Sequence, residues 1–415
     1  MVFKKHVWQT VLAGFLAVGL FVLVSGKVWI PSGSARNTQV YIWLLLPALV
    51  WVSYKIFRRS CVSVSFFYLP WALFLIWVGI SSLWATSADV EGLSLIKRGV
   101  YIALYLVALY LLWSRDENLL RKALFFSIFV VALGALVSIV YQYGFLGKTL
   151  AYRGFRIDRL GFGDYANYGW PVAAGIFHGA IAVWALGASI EKEASLKRFF
   201  FWLLVFGVLS IYLLLTYARG AWVALAIATT ISVALHNSRR GWVVLFLAVL
   251  CSTALVFLYW DTLVFEVAER GLTGRENIWN YYLDVMPGYW LIGHGLGTPF
   301  HYAWANGWAV SPHAHSLYLQ QIFDSGLISL LFLFLGVFTL FWKAWQFRDN
   351  FWIKLAAPAL VFALIAMLTD VERIYTRPGD YWSVFWLPVG IILAVVSSSH
   401  PVASRSRSKK GDQTL

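Results

Sequence analysis

Four stretches of this 415-residue chain hold side chains able to grip an anion or move a proton. Arg153, Arg156 and Arg159 are spaced three apart, so a helix there would put them on one face. Arginine offers a planar, permanently charged fork that holds phosphate oxygens two at a time. A diphosphate leaving group needs that neutralisation, because negative charge builds on the departing oxygen in the transition state. The competing reading is arginines that snorkel or bind lipid headgroups, with Asp158 pairing one of them. On the trio alone the two readings weigh equally.

Arg219 is the second stretch. It stands in Thr216-Tyr217-Ala218-Arg219-Gly220-Ala221-Trp222, between two apolar segments. A charge there is costly and faces a polar cavity more often than lipid, although an exposed turn at the interface would also carry it. Gly220 lets the backbone turn close to a ligand.

The third is Gly274-Arg275-Glu276-Asn277-Ile278-Trp279, which reads as a helix start, where free amides favour anions. Glu276 would orient Arg275 or serve as a base itself.

The fourth is Pro312-His313-Ala314-His315-Ser316-Leu317. Imidazole titrates near neutrality and can take a proton from an attacking hydroxyl. Two histidines two apart could instead bind zinc. A zinc site needs three or four ligands, and only His301 and Asp324 are near in sequence, so no metal is expected. A structural role is the plain alternative for either histidine.

Other signals are weaker. Gly293-His294-Gly295-Leu296-Gly297 follows no strand, so it reads as a turn and not as a phosphate loop. Asp89-Val90-Glu91 supplies two acids without further ligands, which fits a solvated surface. Cys61 and Cys251 form neither a disulfide framework nor a metal spacing.

The elements that must position these residues are transmembrane helices. The chain is 60% hydrophobic and 13% charged, with a mean hydropathy of +0.72. Its apolar runs match a hydrocarbon core in length, and strand-length alternation is absent. The fold class is therefore an all-α integral membrane bundle of about twelve helices. The expected spans are 7–26, 38–57, 66–84, 95–113, 122–143, 166–190, 197–217, 220–236, 241–260, 317–342, 352–370 and 381–398. Residues 1–260 then hold nine helices, 261–316 one long external loop, 317–398 three helices, and 399–415 a basic tail. Within the loop a helix is expected from Thr273 to Val285, capped by Thr273 and stopped by Pro287-Gly288. Its many Trp and Tyr side chains read as rings at headgroup level. The net charge of +14 could attract nucleic acid, but no nucleic-acid motif accompanies it. With both termini inside, about 20 of the 33 Lys and Arg fall on the cytoplasmic side. The first segment begins with Lys4-Lys5 but has a long apolar run and no small-residue cleavage site, so it is read as a retained helix.

The order Ala218-Arg219-Gly220, Gly274-Arg275 with Trp279, Gly293-His294-Gly295-Leu296-Gly297, then His315-Ser316 with Leu319 and Gly326 resembles the O-antigen ligase/polymerase superfamily. The similarity in motifs covers roughly 205–340, and the rest agrees in hydropathy. The resemblance implies a bacterial inner-membrane glycosyltransferase with a periplasmic loop over a membrane-level cavity. It implies an undecaprenyl-diphosphate-linked glycan as donor and, in the ligase branch, lipid A–core as acceptor. It places Arg219 and Arg275 on the diphosphate and His315 at the base position, with His313 a second candidate. It implies no metal or nucleotide cofactor. A polymerase using carrier-linked glycan as acceptor is the nearest rival. A lipid-glycan transporter fits less well, because the unusual charges sit at one edge rather than at the midplane of paired halves.

Overall fold

An apolar run in a hydrocarbon core must satisfy its own backbone, and a helix does so within the segment. The computed structural model describes residues 2–58, 66–87, 90–268, 271, 274–304 and 310–398. Cys61, Asp89, Arg270, Thr273 and Trp308 lie outside the described residues.

Among the described residues, ten helices are long and apolar enough to cross a membrane. They are α1 (Thr10–Trp29), α2 (Gly33–Phe57), α3 (Phe66–Trp84), α4 (Gly92–Arg115), α5 (Glu117–Phe145), α6 (Pro171–Ile190), α7 (Leu196–Leu215), α8 (Arg219–His236), α9 (Arg239–Leu258) and, after the long loop, α12 (Leu317–Gln346). The loop itself carries α10 (Trp260–Ala268) and α11 (Arg275–Val285). Two shorter apolar helices, α13 (Phe351–Ala366) and α14 (Trp382–Ser397), occupy the last two expected span positions. The protein is thus all-α with a multi-pass membrane fold. α13 has 16 residues, about 24 Å of helix. Both short helices are buried along nearly their whole length, so neighbouring helices rather than lipid surround them.

Helix α6 is the centre of the bundle. Glycines let its neighbours come close: a Cβ on Gly179 would lie 2.4 Å from Phe362 and 2.5 Å from Leu213. Small residues at such crossings permit backbone approach and dispersion contact where lipid offers no hydrophobic driving force.

The two ends of the bundle differ. At one end the turns are short and capped by side chains, with Asp116, Ser195, Ser238 and Asn350 each accepting from a backbone amide. Arg240 donates to the Ala194 carbonyl and Trp352 to Glu117, which tie these turns together. At the other end, here called the loop end, gather residues 85–86, 146–170, 216–219, the long loop and 367–380.

The long loop folds on its own small core of Ile278, Tyr282, Met286, Phe300, Ala314, Ile322 and Phe323. Trp279 packs against that core, and its indole donates to the Ala314 carbonyl. Tyr282 and Trp279 pack in this core and hold the loop together, while Tyr289 is exposed. A two-residue hairpin pairs Tyr302 with Ser311 and Ala303 with Val310. Helix α11 starts at Arg275 with Gly274 at its N-cap in the left-handed region, φ 80°, in place of the expected Thr273 cap.

The loop docks where α12 breaks. Gly326, with φ 73° and ψ 177°, interrupts that helix, and the freed amide of Leu327 is taken by the Trp290 carbonyl at 2.8 Å. A Cβ on Gly326 would lie 2.0 Å from the Leu291 carbonyl oxygen. The glycine-rich 293–297 segment completes the joint: Gly293 abuts the Asp324–Gly326 backbone and Gly295 abuts Ala85. It is a docking turn, as its sequence indicates.

Gly326→Ala should therefore lower the unfolding temperature in detergent, by at least ~2 kcal/mol of stability. Gly207→Ala, on a helix position with open space around it, should be neutral or slightly stabilising. Equal melting of the two variants would show that the break does not hold the loop.

Candidate active site

Helix α7 ends at Leu215, the chain turns through Thr216 to Ala218, and α8 begins at Arg219. Tyr217 takes φ 53°, and the Thr216 hydroxyl accepts from the Ala218 amide at 3.3 Å. This tight turn sets Arg219 at the first position of its helix, as Arg275 is at the first position of α11. The dipole favours anions at both places.

The two arginines meet Arg153 and Arg156 around a cavity of about 230 Å³ at the loop end. Its remaining wall includes Tyr217, Gly220 and Thr369, with Val172, Ile176, Ala221 and Ala366 as apolar lining. Four guanidiniums line it, and no acidic side chain is among the described residues that do. The arginines are held from behind. Glu266, 2% exposed, lies 3.7 Å from Arg153 Nη1 and 3.5 Å from Arg219 Nη1. Arg219 also donates to the carbonyls of Glu266 and Gly271, and Arg156 to that of Thr216 at 2.8 Å.

Arg159 is elsewhere. It makes a two-pronged pair with its neighbour Asp158, at 2.9 and 2.8 Å, and does not line the cavity. The shared helical face is corrected: residues 147–170 contain no helix, and Arg153 itself has φ 56°. Arg153 and Arg156 come together by irregular backbone instead. Glu276 is exposed on α11 and does not line the cavity; its carboxylate lies near Gly271.

Beside the cavity stands a residue that sequence reasoning did not single out. Asp370 lies 3.5 Å from Arg275 Nη2 and 3.6 Å from His315 Nδ1. Asp370 accepts a hydrogen bond from the Val371 amide, which sits on a residue with φ 85°. His315 also has a left-handed backbone, φ 50°, and its amide donates to His313 Nδ1 at 3.2 Å. His313 is thereby the Nε2-protonated tautomer, with Nδ1 already engaged. The His315 side chain is 30% exposed, so its ring remains open to a substrate.

The segment bearing Asp370 is anchored by a second pair. Arg373 grips Asp324 with Nε and Nη2, and Gln320 donates to the same carboxylate. Asp324 is 2% exposed and adjoins the break in α12. Asp324 thus acts as a tether, outside the ligand set that sequence spacing allowed it.

His313, His315 and Asp370 bring three ligand atoms within 4.8 Å of one another, a set a metal ion could use. The surroundings disfavour a cation there. Arg275 and Arg373 both act electrostatically on His313, and Asp370 is already matched by Arg275. His313 Nδ1 is spent on a backbone amide.

The comparisons with known proteins cover part of this centre in sequence. A family model described as O-antigen ligase matches residues 203–334, which contain Arg219, Arg275, His313 and His315. The O-antigen ligase of Pseudomonas aeruginosa is 25% identical over 391 residues, spanning 94% of this chain and 92% of that relative. The chain is thus similar to the O-antigen ligase family. The matched segment supplies only part of the site. Arg153, Arg156, Asp370 and Arg373 lie outside it in sequence and reach it through the fold.

The titrating groups follow from these contacts. Burial, then the adjacent His315, push the His313 imidazole down from 6.5 to about 4. Burial alone would raise the Asp370 carboxyl, but the neighbouring His315, the Val371 amide and Arg275 hold it below the usual carboxylate range. A folded-state value below the unfolded one means that the unfolded chain takes up the proton first. The stability that His313 contributes is therefore complete above pH 6.5 and lost as pH falls toward about 4. His313→Asn keeps an acceptor for the His315 amide and removes the titration. The unfolding temperature of the wild-type protein should fall more steeply from pH 6.5 to 4 than that of His313→Asn. Parallel curves would mean that His313 is not held neutral.

Proposed function

We propose that this protein is an O-antigen ligase that moves glycan from undecaprenyl diphosphate to lipid A–core at the periplasmic face of the inner membrane. One observation carries the reading: a cavity lined by four guanidiniums and no described carboxylate adjoins a histidine backed by a carboxylate. The family supplies the donor class, and the P. aeruginosa relative, named an O-antigen ligase, supplies the choice of ligation.

The diphosphate occupies the arginine cavity, and its apolar lining receives the start of the isoprenoid chain. Asp370 orients His315 through Nδ1, leaving Nε2 to accept a proton from the acceptor hydroxyl. The hydroxyl oxygen forms a bond to the anomeric carbon as the bond from that carbon to the diphosphate oxygen breaks. Arg219, Arg275, Arg153 and Arg156 take the charge that develops on the leaving group. Electrons and protons balance without nucleotide, because the donor's own diphosphate linkage supplies the driving force. The mechanism is metal-independent, and one displacement inverts the anomeric configuration. With both termini cytoplasmic, the basic short-turn end lies inside and the loop end outside.

Purified protein, carrier-linked glycan and lipid A–core, with chelator and without ATP, should give ligated product of inverted configuration. Retained configuration would overturn the displacement. His315→Ala in folded protein should lower turnover at least ~100-fold, and Asp370→Asn should act in the same direction. Arg219→Lys should retain part of the activity that Arg219→Gln loses. Elongation of the carrier-linked glycan alone would assign the protein as a polymerase.

A further inference from the structure

A second cationic cluster lies at the loop end, apart from the cavity. Arg98, in the second turn of α4, is half-buried, and its Nε is buried without a hydrogen-bond partner. Among the described residues no carboxylate lies within ion-pair distance of Arg98 or of the exposed Arg377. Both are nonetheless neighbours. Arg98 interacts electrostatically with Arg373 and Arg377 and, in the opposite sense, with the Glu372 carboxylate, while Arg373 is committed to Asp324 and Glu372. The packing that brings them together is tight. The Tyr375 hydroxyl donates to the Ile96 carbonyl, and a Cβ on Gly99 would lie 2.4 Å from that hydroxyl. Tyr41, its ring 5.2 Å from that of Tyr101, lies within electrostatic reach of both arginines.

Like charges held together at a membrane edge, one with an orphaned donor, are stable when an anion completes them. A chain of neighbours links this cluster to the cavity. From the cavity it runs through Arg275 and Asp370 to the histidine pair, then through Arg373 to Arg98 and Arg377. Neither Arg98 nor Arg377 lines the cavity. In a displacement the incoming hydroxyl approaches opposite the leaving group. With the diphosphate on the Arg275 side of His315, the head group of the acceptor lies on the Arg373 side.

We propose that Arg98 and Arg377 form a second anion subsite, which binds a phosphate on the head group of the acceptor glycolipid. It rests on the ligase reading for the identity of the acceptor. Its chemistry, guanidinium to phosphate with tyrosine hydroxyls beside it, is independent of that reading. The subsite sets which acceptor is used and how it is turned toward His315, and takes no part in the leaving-group chemistry.

The test uses full-length protein in phosphatidylcholine nanodiscs, with carrier-linked donor and with lipid A–core either phosphorylated or treated with phosphatase. Arg98→Gln and Arg377→Gln should each raise KM for the phosphorylated acceptor about tenfold. Turnover should stay within about twofold and KM for the donor unchanged. The dephosphorylated acceptor should show a raised KM with wild-type protein and no further rise with either variant. An equal effect on both acceptors, or a rise in donor KM, would overturn the proposal. So would phosphatidylglycerol nanodiscs that erase the preference for phosphorylated acceptor, which would make the cluster a bulk-lipid site. Should Arg98→Gln fail to fold, the exposed Arg377 carries the test. If wild-type protein ligates neither acceptor, the ligase reading fails, and binding of labelled phosphorylated glycolipid decides the subsite: weakened in the variants, it stands; unchanged, it falls.

Discussion

Guanidinium groups facing a shared cavity repel one another, and two carboxylates, one buried and one half-buried, fix where they stand. Glu266 lies behind Arg153 and Arg219, and Asp370 behind Arg275. Each carboxylate is set back from the cavity wall, so the arginines remain positioned without being neutralised from the front. Removing one would leave its arginines uncompensated in a medium where charge is poorly screened. The order of the helices follows from this need. Arg153 and Arg156 arrive from the segment after α5, Arg219 from the start of α8, Arg275 from the start of α11 and Asp370 from the end of α13.

Irregular backbone makes these arrivals possible. Arg153, Tyr217, His315 and Val371 have positive φ without being glycine, and each is at, or next to, a residue of the site. Such conformations cost energy and persist where surrounding structure over-determines them. Here the surroundings are identifiable. The Thr216 hydroxyl braces one turn, the His313 ring accepts the His315 amide, and Asp370 accepts the amide of Val371. Non-helical backbone at membrane depth is tolerated where protein buries it, and the Gly326 break meets that condition, with Trp290 taking the freed amide.

The helices were legible because hydropathy and length leave one solution for such segments, and the two short C-terminal ones announced themselves equally well. Arg219 and Arg275 were legible because each interrupts an apolar or helix-starting pattern. The grouping of Arg153 and Arg156 with them was not, since spacing of three invites a helix. Gly154, Gly161, Gly163 and Gly169 were the available signal against one. Asp370 stayed hidden for a different reason. It follows an apolar run and precedes a short stretch of mixed charge, which reads as an ordinary loop between spans. Its meaning comes from His315 and Arg275, which are 55 and 95 residues away in sequence. Asp324 and Arg373 are 49 residues apart and share that limitation.

The same distances decide how the site works as one unit. Asp370 is within 3.6 Å of a permanent cation on the cavity side and of a titratable ring on the other. An ion pair at this range in a poorly solvated setting is felt strongly by a third charge that contacts either member. A diphosphate beside Arg275 competes with Asp370 for that guanidinium and leaves the carboxylate more available to His315. A proton on His315 draws Asp370 the other way, away from Arg275. On the proposed reaction, leaving-group binding and proton acceptance thus meet at one carboxylate. This gives a physical reason for a half-buried acid between an arginine and a histidine, where two separate and well-solvated sites would have cost less to build.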